Sequence, residues 1–278
     1  MPPSIAIQGD KASFHDIAVT KYYQRPAPIL ACNDFKSTFA AVRDEEAPVA
    51  VCAIENSLYG SINQTYDLLL EHNFQIIGEV YLRVEQCLIG LPSTDLKQIR
   101  EVYSHPVALA QCEAYIDQVL PQAERSEYHD TAASVERVKL LNDPGVVAIA
   151  SSAAAHLHGL EVLAHSIETN KQNYTRFIVL SKQASVSSRS NKTSLIIETP
   201  EGPGSLHAAL GVFARRGINL TKLQSRPVIG KAWQYMFYAD IDAGTSDKKV
   251  TSALKELTDA GYGTRVLGSY QAGERGSA

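Results

Sequence analysis

Apolar positions along the chain follow two alternating patterns. Residues 4–9 (SIAIQG), 47–54 (APVAVCAI) and 145–150 (GVVAIA) are short runs with little or no polar face. Such runs predict strands, and the continuous run at 47–54 one buried on both faces of a sheet. Residues 99–104 form another strand, and 74–91 read as one long extended stretch. Between them lie helical segments at 62–72, 105–120, 131–141 and 151–160. In 105–120, Leu109, Cys112, Ile116 and Val119 share one face. Asp130 is placed to cap 131–141, and Gly159 to close the helix before it. Strands alternating with helices predict a mostly parallel α/β sheet.

The pattern then breaks. Residues 182–192 are serine-rich without apolar periodicity and read as a linker. Beyond it come a strand (193–200), a helix (204–217), two strands (218–228 and 233–242) around the turn IGKA, a helix (246–261) and a last strand (263–270). Leu206, Leu210 and Phe213 mark the buried face of the first of these helices, and Gly217 its stop. The order βαββαβ is ferredoxin-like. The chain thus divides into an α/β region at 1–181, the linker, and a smaller domain at 193–278.

Composition narrows the function. With 278 residues, 45% of them hydrophobic, the chain can bury a sizeable core. A net charge of −4 and no basic run give no general attraction to nucleic acid. The N-terminus MPPSIAIQGD is not patterned as a signal peptide, and no run of about 18 apolar residues predicts a membrane span. Cys32, Cys52, Cys87 and Cys112 form no CxxC pair and read as reduced, mostly buried thiols of a cytoplasmic protein. His156 and His158, two apart, do not share a helix face, so no metal site is expected. Gly202-Pro203-Gly204 opens like a dinucleotide loop, but His207 stands at the third glycine position, so NAD is not expected.

The candidate chemistry lies where strands meet helices. Glu55, Asn56, Ser57, Gly60 and Ser61 follow the strongest strand, and Ser104-His105 and Thr131 occupy similar turns. Strand ends and helix N-termini suit anionic ligands, although each polar residue could equally be a cap. In KQNYTRFIVL (171–180), Asn173, Thr175 and Arg176 stand at the mouth of a core strand. They stay in solvent or converge on something bound, because unpaired polar burial costs a few kcal/mol.

Together, AIQGDKASFH, IENSLYGSINQTYDLL, YSHPVALAQC, DTAASVERV, VAIASSAAAHLHGL and NYTRFIVL occur in the order that resembles the bacterial prephenate dehydratases. GPGSLHAALGVFARRGINLTKLQSRP with VLGSY resembles their ACT regulatory domain. Without an N-terminal chorismate mutase segment, the chain resembles the monofunctional type. The resemblance implies two α/β subdomains like type II periplasmic binding proteins, with the site in their cleft. It implies that prephenate loses carbon dioxide and water to give phenylpyruvate in phenylalanine biosynthesis, with no metal or organic cofactor. Thr175 is the implied donor to the leaving hydroxyl, with Arg176, Asn56 and Ser57 beside it. Substrate contacts carry over to Ser13, Phe14, Glu55, Gly60, Ser104, His105, Thr131, Ala132, Ser151, Asn173 and Phe177. L-Phenylalanine as effector is implied at Gly204, Ser205, Leu206, His207, Asn219, Leu220, Gln224, Ser225, Arg226 and Pro227, between paired ACT domains of a dimer or tetramer. The family motifs are altered at Ala12, His15, His207 and Gln224. Arogenate dehydratase and a non-catalytic two-lobed binder are the competing readings.

Overall fold

The structure is a computed structural model describing residues 4–92, 94–183, 189–228, 230–231 and 233–275. The middle of the predicted linker and two positions of the IGKA turn lie outside the described residues. The chain forms two compact units: Met1–Thr65, Tyr81–Phe177 and Arg275–Ala278 make the first, Tyr66–Val80 and Ile178–Glu274 the second.

The first unit contains two α/β lobes. The first lobe opens with β1 (Ile5–Gln8), α1 (Phe14–Tyr23), β2 (Ile29–Cys32), α2 (Phe35–Arg43) and β3 (Val49–Asn56), where β1 pairs in parallel with both β2 and β3. A two-residue strand β4 (Gly60–Ser61) folds back on β3 and leads into α3 (Asn63–His72) and β5 (Gln75–Arg83), of which Tyr66–Val80 are counted with the second unit. The second lobe is a sheet of β6 (Cys87–Gly90), β7 (Glu101–Ser104), β8 (Glu124–Glu127), β9 (Val146–Ala150) and β10 (Glu161–Ala164), ordered β10-β6-β9-β7-β8. Its helices are α4 (Pro106–Gln111), α5 (Glu113–Val119), α6 (Thr131–Leu141) and α7 (Ser152–His158). Strand β11 (Tyr174–Ser181) then returns to the first sheet, ordered β2-β1-β3-β11-β5.

The continuous apolar runs have the expected cause. Along β9, Val146, Ala148 and Ala150 join Val135 and Val138 of α6, while Val147 and Ile149 join Leu109 and Ile116 on the opposite face. Helices cover both faces, so neither parity of the strand tolerates a polar residue. Each large aliphatic side chain buried this way contributes about 1.5–3 kcal/mol.

The expectations fail where tertiary context decides. The extended stretch 74–91 is two strands in two sheets, β5 and β6, interrupted at Val84–Gln86. The helix expected at 105–120 breaks at Cys112 (φ −104°, ψ 9°), and Val119 is exposed rather than buried. Helix α1 has no strong apolar stripe to announce it, and α2, although Phe39, Ala41 and Val42 are buried, was not expected from the sequence. Their N-termini are fixed by caps: Ser13 accepts from the Asp16 N–H, and Asp34 and Ser37 form a capping box.

The second unit is built on an antiparallel sheet of β12 (Lys192–Glu198), β13 (Leu220–Pro227), β14 (Tyr235–Ile241) and β15 (Gly263–Tyr270), ordered β13-β14-β12-β15. With α8 (Ser205–Ala214) and α9 (Lys248–Asp259) on one face, this is the expected ferredoxin-like arrangement. Tyr66–Val80 belongs to this unit too. Tyr238 donates to the Tyr66 carbonyl at 2.9 Å, Arg265 donates to the Leu69 and Leu70 carbonyls, and Arg226 grips Asp67 at 2.6 and 2.7 Å. A shift in the pairing of β12 with β15 sets Gly268 against Ile76, where a Cβ would come within 2.0 Å of the Ile76 carbonyl oxygen. Only glycine permits that approach. Beneath the sheet, Lys192 reaches Glu79 at 2.8 Å and Asp240 at 3.7 Å, all three buried.

Candidate active site

A cavity of about 300 Å³ lies in the first unit, with walls from both lobes. It is built around the turn that leaves β3. There the Asn56 side-chain oxygen Oδ1 accepts the backbone N–H groups of Leu58 and Tyr59 at 2.9 and 3.1 Å. This local turn is what asparagine after a strand favours, and it fixes which way the amide faces. The Asn56 Nδ2 therefore donates on the other side, to Asn173 Oδ1 at 2.8 Å and Thr175 Oγ1 at 3.0 Å. Since Thr175 Oγ1 is already an acceptor, its own proton is available as a donor at the cavity wall.

The parity of β11 sorts the rest of the segment. Thr175 and Phe177 line the cavity; Arg176, between them, does not and is buried with Glu55 at 3.8 Å. Ser57 lies outside the wall as well. Its hydroxyl donates to the Gln172 carbonyl and accepts the Tyr174 N–H, both at 2.9 Å, stapling β3's end to the start of β11. Asn173 is fully buried behind Asn56.

Ser13, Phe14, His105 and Thr131 line the cavity as expected. Glu55, Gly60, Ala132, Ser104 and Ser151 do not. Ser104 donates to the Ile149 carbonyl at 2.6 Å, and Ser151 donates to the Ala12 carbonyl at 2.8 Å. Both hydroxyls thus serve the scaffold, the second joining the two lobes. Ala12 itself has φ +66°, a conformation in which glycine would be less strained.

Gln8, His15, Phe35, Gln86, Gln111, His129 and Asp130 complete much of the wall and were not in the expected set. Gln86 donates to Gln111 Oε1 at 3.2 Å, joining segments 25 residues apart. No local spacing announces such a pair. Asp130 was legible only as the cap of α6, accepting from the Ala132 and Ala133 N–H groups.

His15 is enclosed by Phe35 and Phe177, with ring centroids 5.8 and 5.0 Å away, and its Nε2 accepts the Ala53 N–H at 3.3 Å. Burial pushes its pKa down to about 4, so the ring is neutral with the proton on Nδ1. The unfolded chain would take up this proton near pH 6.5. His15 therefore costs no stability above pH 6.5 and destabilises progressively as pH falls toward 4. At pH 5 the loss is about 2 kcal/mol. Urea unfolding at pH 7.5 and 5 should show that His15→Gln loses less stability on acidification than the parent by about this amount; equal losses would contradict a neutral buried His15.

In the second unit a cavity of about 340 Å³ is lined by Gly204, Ser205, Leu206 and His207 together with Trp233, Tyr235 and Phe237. Gly204 starts α8 with φ +81° and without a side-chain cap; the Ser205 N–H donates to the Gly202 carbonyl at 3.3 Å, and no side chain takes the N–H groups that follow it. Asn219, Leu220, Gln224, Ser225, Arg226 and Pro227 do not line it. Arg226 is turned to Asp67, and Asn219 donates to Asp242 at 3.0 Å.

Comparison with known proteins finds matches in both regions of the chain. The prephenate dehydratase family model matches residues 5–185, and the ACT domain model matches 193–259. The arogenate dehydratase/prephenate dehydratase 2 of Arabidopsis thaliana is 38% identical over 277 residues, covering 96% of this chain and 72% of that one. A solved prephenate dehydratase from Arthrobacter aurescens in complex with L-Phe superimposes with a TM-score of 0.85 at 31% identity, covering 96% of this chain and 90% of that one. A further solved structure, described as GqqA, a novel type of quorum quenching acylases, superimposes with a TM-score of 0.86 at 34% identity, covering 96% of this chain and 97% of that one. A chain matched by these two models over residues 5–185 and 193–259, and whose two-lobed cavity and ferredoxin-like sheet follow them, belongs to the prephenate dehydratase family, hydro-lyases that here carry an ACT domain.

Proposed function

We propose that the cavity of the first unit converts prephenate to phenylpyruvate and that L-phenylalanine controls it through the ACT domain. The observation carrying this is the Asn56–Thr175 hydrogen bond, in which Thr175 Oγ1 accepts and so keeps its own proton to donate into the cavity that it lines. In the reaction the bond from ring carbon C1 to its carboxylate breaks and carbon dioxide leaves. The released electron pair moves through the diene, the ring becomes aromatic, and the C4–oxygen bond breaks, the hydroxide taking a proton from solvent to become water. A threonine hydroxyl is too weak an acid to supply that proton outright. It supports the departing oxygen by a hydrogen bond that strengthens as negative charge develops. Arg176 and Asn173 act on this step only by holding β11 and Asn56 in place.

Acyl transfer is disfavoured. It requires a nucleophile with a base in hydrogen-bond reach, and among the described residues no hydroxyl lining the cavity is hydrogen-bonded to a histidine.

For control, the uncapped α8 N-terminus receives the effector's carboxylate and the aromatic wall its ring. Self-association through ACT domains, as a dimer or tetramer, and a cytoplasmic setting belong to the same reading. Incubating the purified protein with prephenate should yield phenylpyruvate, and L-phenylalanine should lower the rate. No product from prephenate would overturn the catalytic reading; product without any response to phenylalanine would overturn the control.

A further inference from the structure

Outside the cavity, three side chains of different chemistry converge at the edge of the second lobe's sheet. Cys87 Sγ, a ring nitrogen of His165 and a carboxylate oxygen of Glu85 lie within 4.8 Å of one another. Cys87 Sγ is 3.6 Å from His165 Nδ1, and that nitrogen is 3.9 Å from Glu85 Oε1.

The local fold brings them there. Strand β10 pairs antiparallel with β6, Val162 opposite Ile89 but Ala164 opposite Leu88, so one extra residue is inserted between them. Such a bulge re-aims the side chains that follow it. Without it His165 would come level with Gln86; with it, His165 comes level with Cys87. The next residue, Ser166, has φ +52°, uncommon outside glycine, and its hydroxyl donates to Glu85 Oε1 at 2.6 Å. Ligating carboxylates are commonly oriented by such an outer hydrogen bond. The neighbouring charges are engaged elsewhere. Glu168 is buried against Arg83 at 3.0 Å and the Gln86 N–H at 2.9 Å, and Lys171 donates to the Ser166 and Glu168 carbonyls.

At 3.9 Å, Glu85 and His165 are too far apart to hydrogen-bond. Their spacing instead suits two ligands of a shared centre. A tetrahedral zinc ion, with bonds of about 2.3 Å to sulfur and about 2.1 Å to nitrogen and oxygen, separates S from N by about 3.6 Å and N from O by about 3.4 Å. The first separation is met. The second is about half an ångström long, and the partly exposed Glu85 side chain can close it by a small rotation.

We propose that Glu85, Cys87 and His165 form a zinc(II) site with its fourth position open to solvent. Cys87 binds as the thiolate, its proton leaving to water, and His165 as the neutral ring through Nδ1. The two anionic ligands balance the charge of the ion. Thiolate and imidazole donors select zinc over magnesium or calcium, which take oxygen ligands. Cys87 and His165 are 78 residues apart, so no spacing in the sequence announced the site. Gln86, between two of the ligands, lines the cavity, and a bound ion would hold in place the segment that carries it. The proposal stands independently of the dehydratase reading.

The test is metal titration of the purified protein after removal of metal with a chelator. Calorimetry should show one zinc bound per chain, and excess magnesium should not compete. Cobalt(II) in place of zinc should give a thiolate-to-cobalt charge-transfer absorption. His165→Ala alters an exposed side chain and should melt like the parent, yet weaken zinc by more than about 100-fold, beyond the loss of an outer partner. Ser166→Ala should weaken zinc about 10–100-fold. Cys87→Ser should abolish the charge-transfer band; if that buried position does not tolerate the change, the other two variants decide. No saturable zinc binding by the parent would overturn the proposal. So would zinc affinity unchanged in His165→Ala, or a band that survives in a folded Cys87→Ser, since the ion would then be held elsewhere.

Discussion

Thr175→Ala should lower kcat on prephenate by about 10²–10³ while KM moves little and the protein melts at nearly the same temperature. The hydroxyl is removed from a position that is 8% exposed, at the edge of the cavity rather than in the core, so the cavity left behind is open to solvent. The loss falls on kcat because the hydrogen bond to the departing oxygen is stronger in the transition state than in the bound substrate. Thr175→Ser keeps the oxygen that Asn56 addresses and should retain most of the activity. Asn56→Ala should fall between them: the hydroxyl remains but nothing fixes where its proton points. Steady-state kinetics on the three variants decides the matter. If Thr175→Ala kept more than a third of the parent kcat, Thr175 would not be the donor.

The largest stability effect should come from the second unit. Lys192→Met removes the ammonium that lies 2.8 Å from Glu79 and 3.7 Å from Asp240. Those carboxylates are buried, and Glu79 also accepts the Gly273 N–H at 3.1 Å, while Asp240 accepts from Ser194 at 2.5 Å. Hydrogen bonds alone do not offset a desolvated negative charge. Removing one partner of a buried pair costs about 3–5 kcal/mol, which lowers the melting temperature by roughly 10 °C. Replacing the pair together, Lys192→Met with Glu79→Gln, removes charge from both sides and should restore a substantial part of the loss. Denaturant unfolding of the two variants measures this directly. A single-variant loss under 1 kcal/mol would show that the pair contributes little.

How far the sequence could be read depends on whether a signal was local. The run at 145–150 was legible because two-sided burial leaves no other composition possible. The split of 74–91 was not, because both halves are extended and only their partners differ: β5 joins β11, and β6 joins β9 and β10. The same division holds at the site. The segment around Thr175 and the turn at Asn56 stood out as polar residues at strand ends. Ser104 and Ser151 stood out equally, yet their hydroxyls turn inward to backbone carbonyls. Residue type at a turn says that a hydroxyl is present; its direction is set by which carbonyl the neighbouring strand brings near. Gln86 and Gln111 carried no signal, since each acquires meaning only when the other is beside it.

Helix α3 constrains how such proteins can evolve. It follows Tyr59 and Ile62 of the cavity wall, and four residues into its length it is gripped by Arg226, a member of the segment that resembles the family's regulatory motif. The stretch Tyr66–Val80 lies by sequence within the region matched as prephenate dehydratase but is buried with the ACT sheet. A recombination event cutting at the serine-rich segment would carry away the partners of Asp67, Ile76 and Glu79 and strand them in the recipient. The sensor is therefore not an exchangeable cassette. An ACT domain grafted from a relative would have to bring its own matches for those three positions, and the two parts would be expected to drift together, residue for residue.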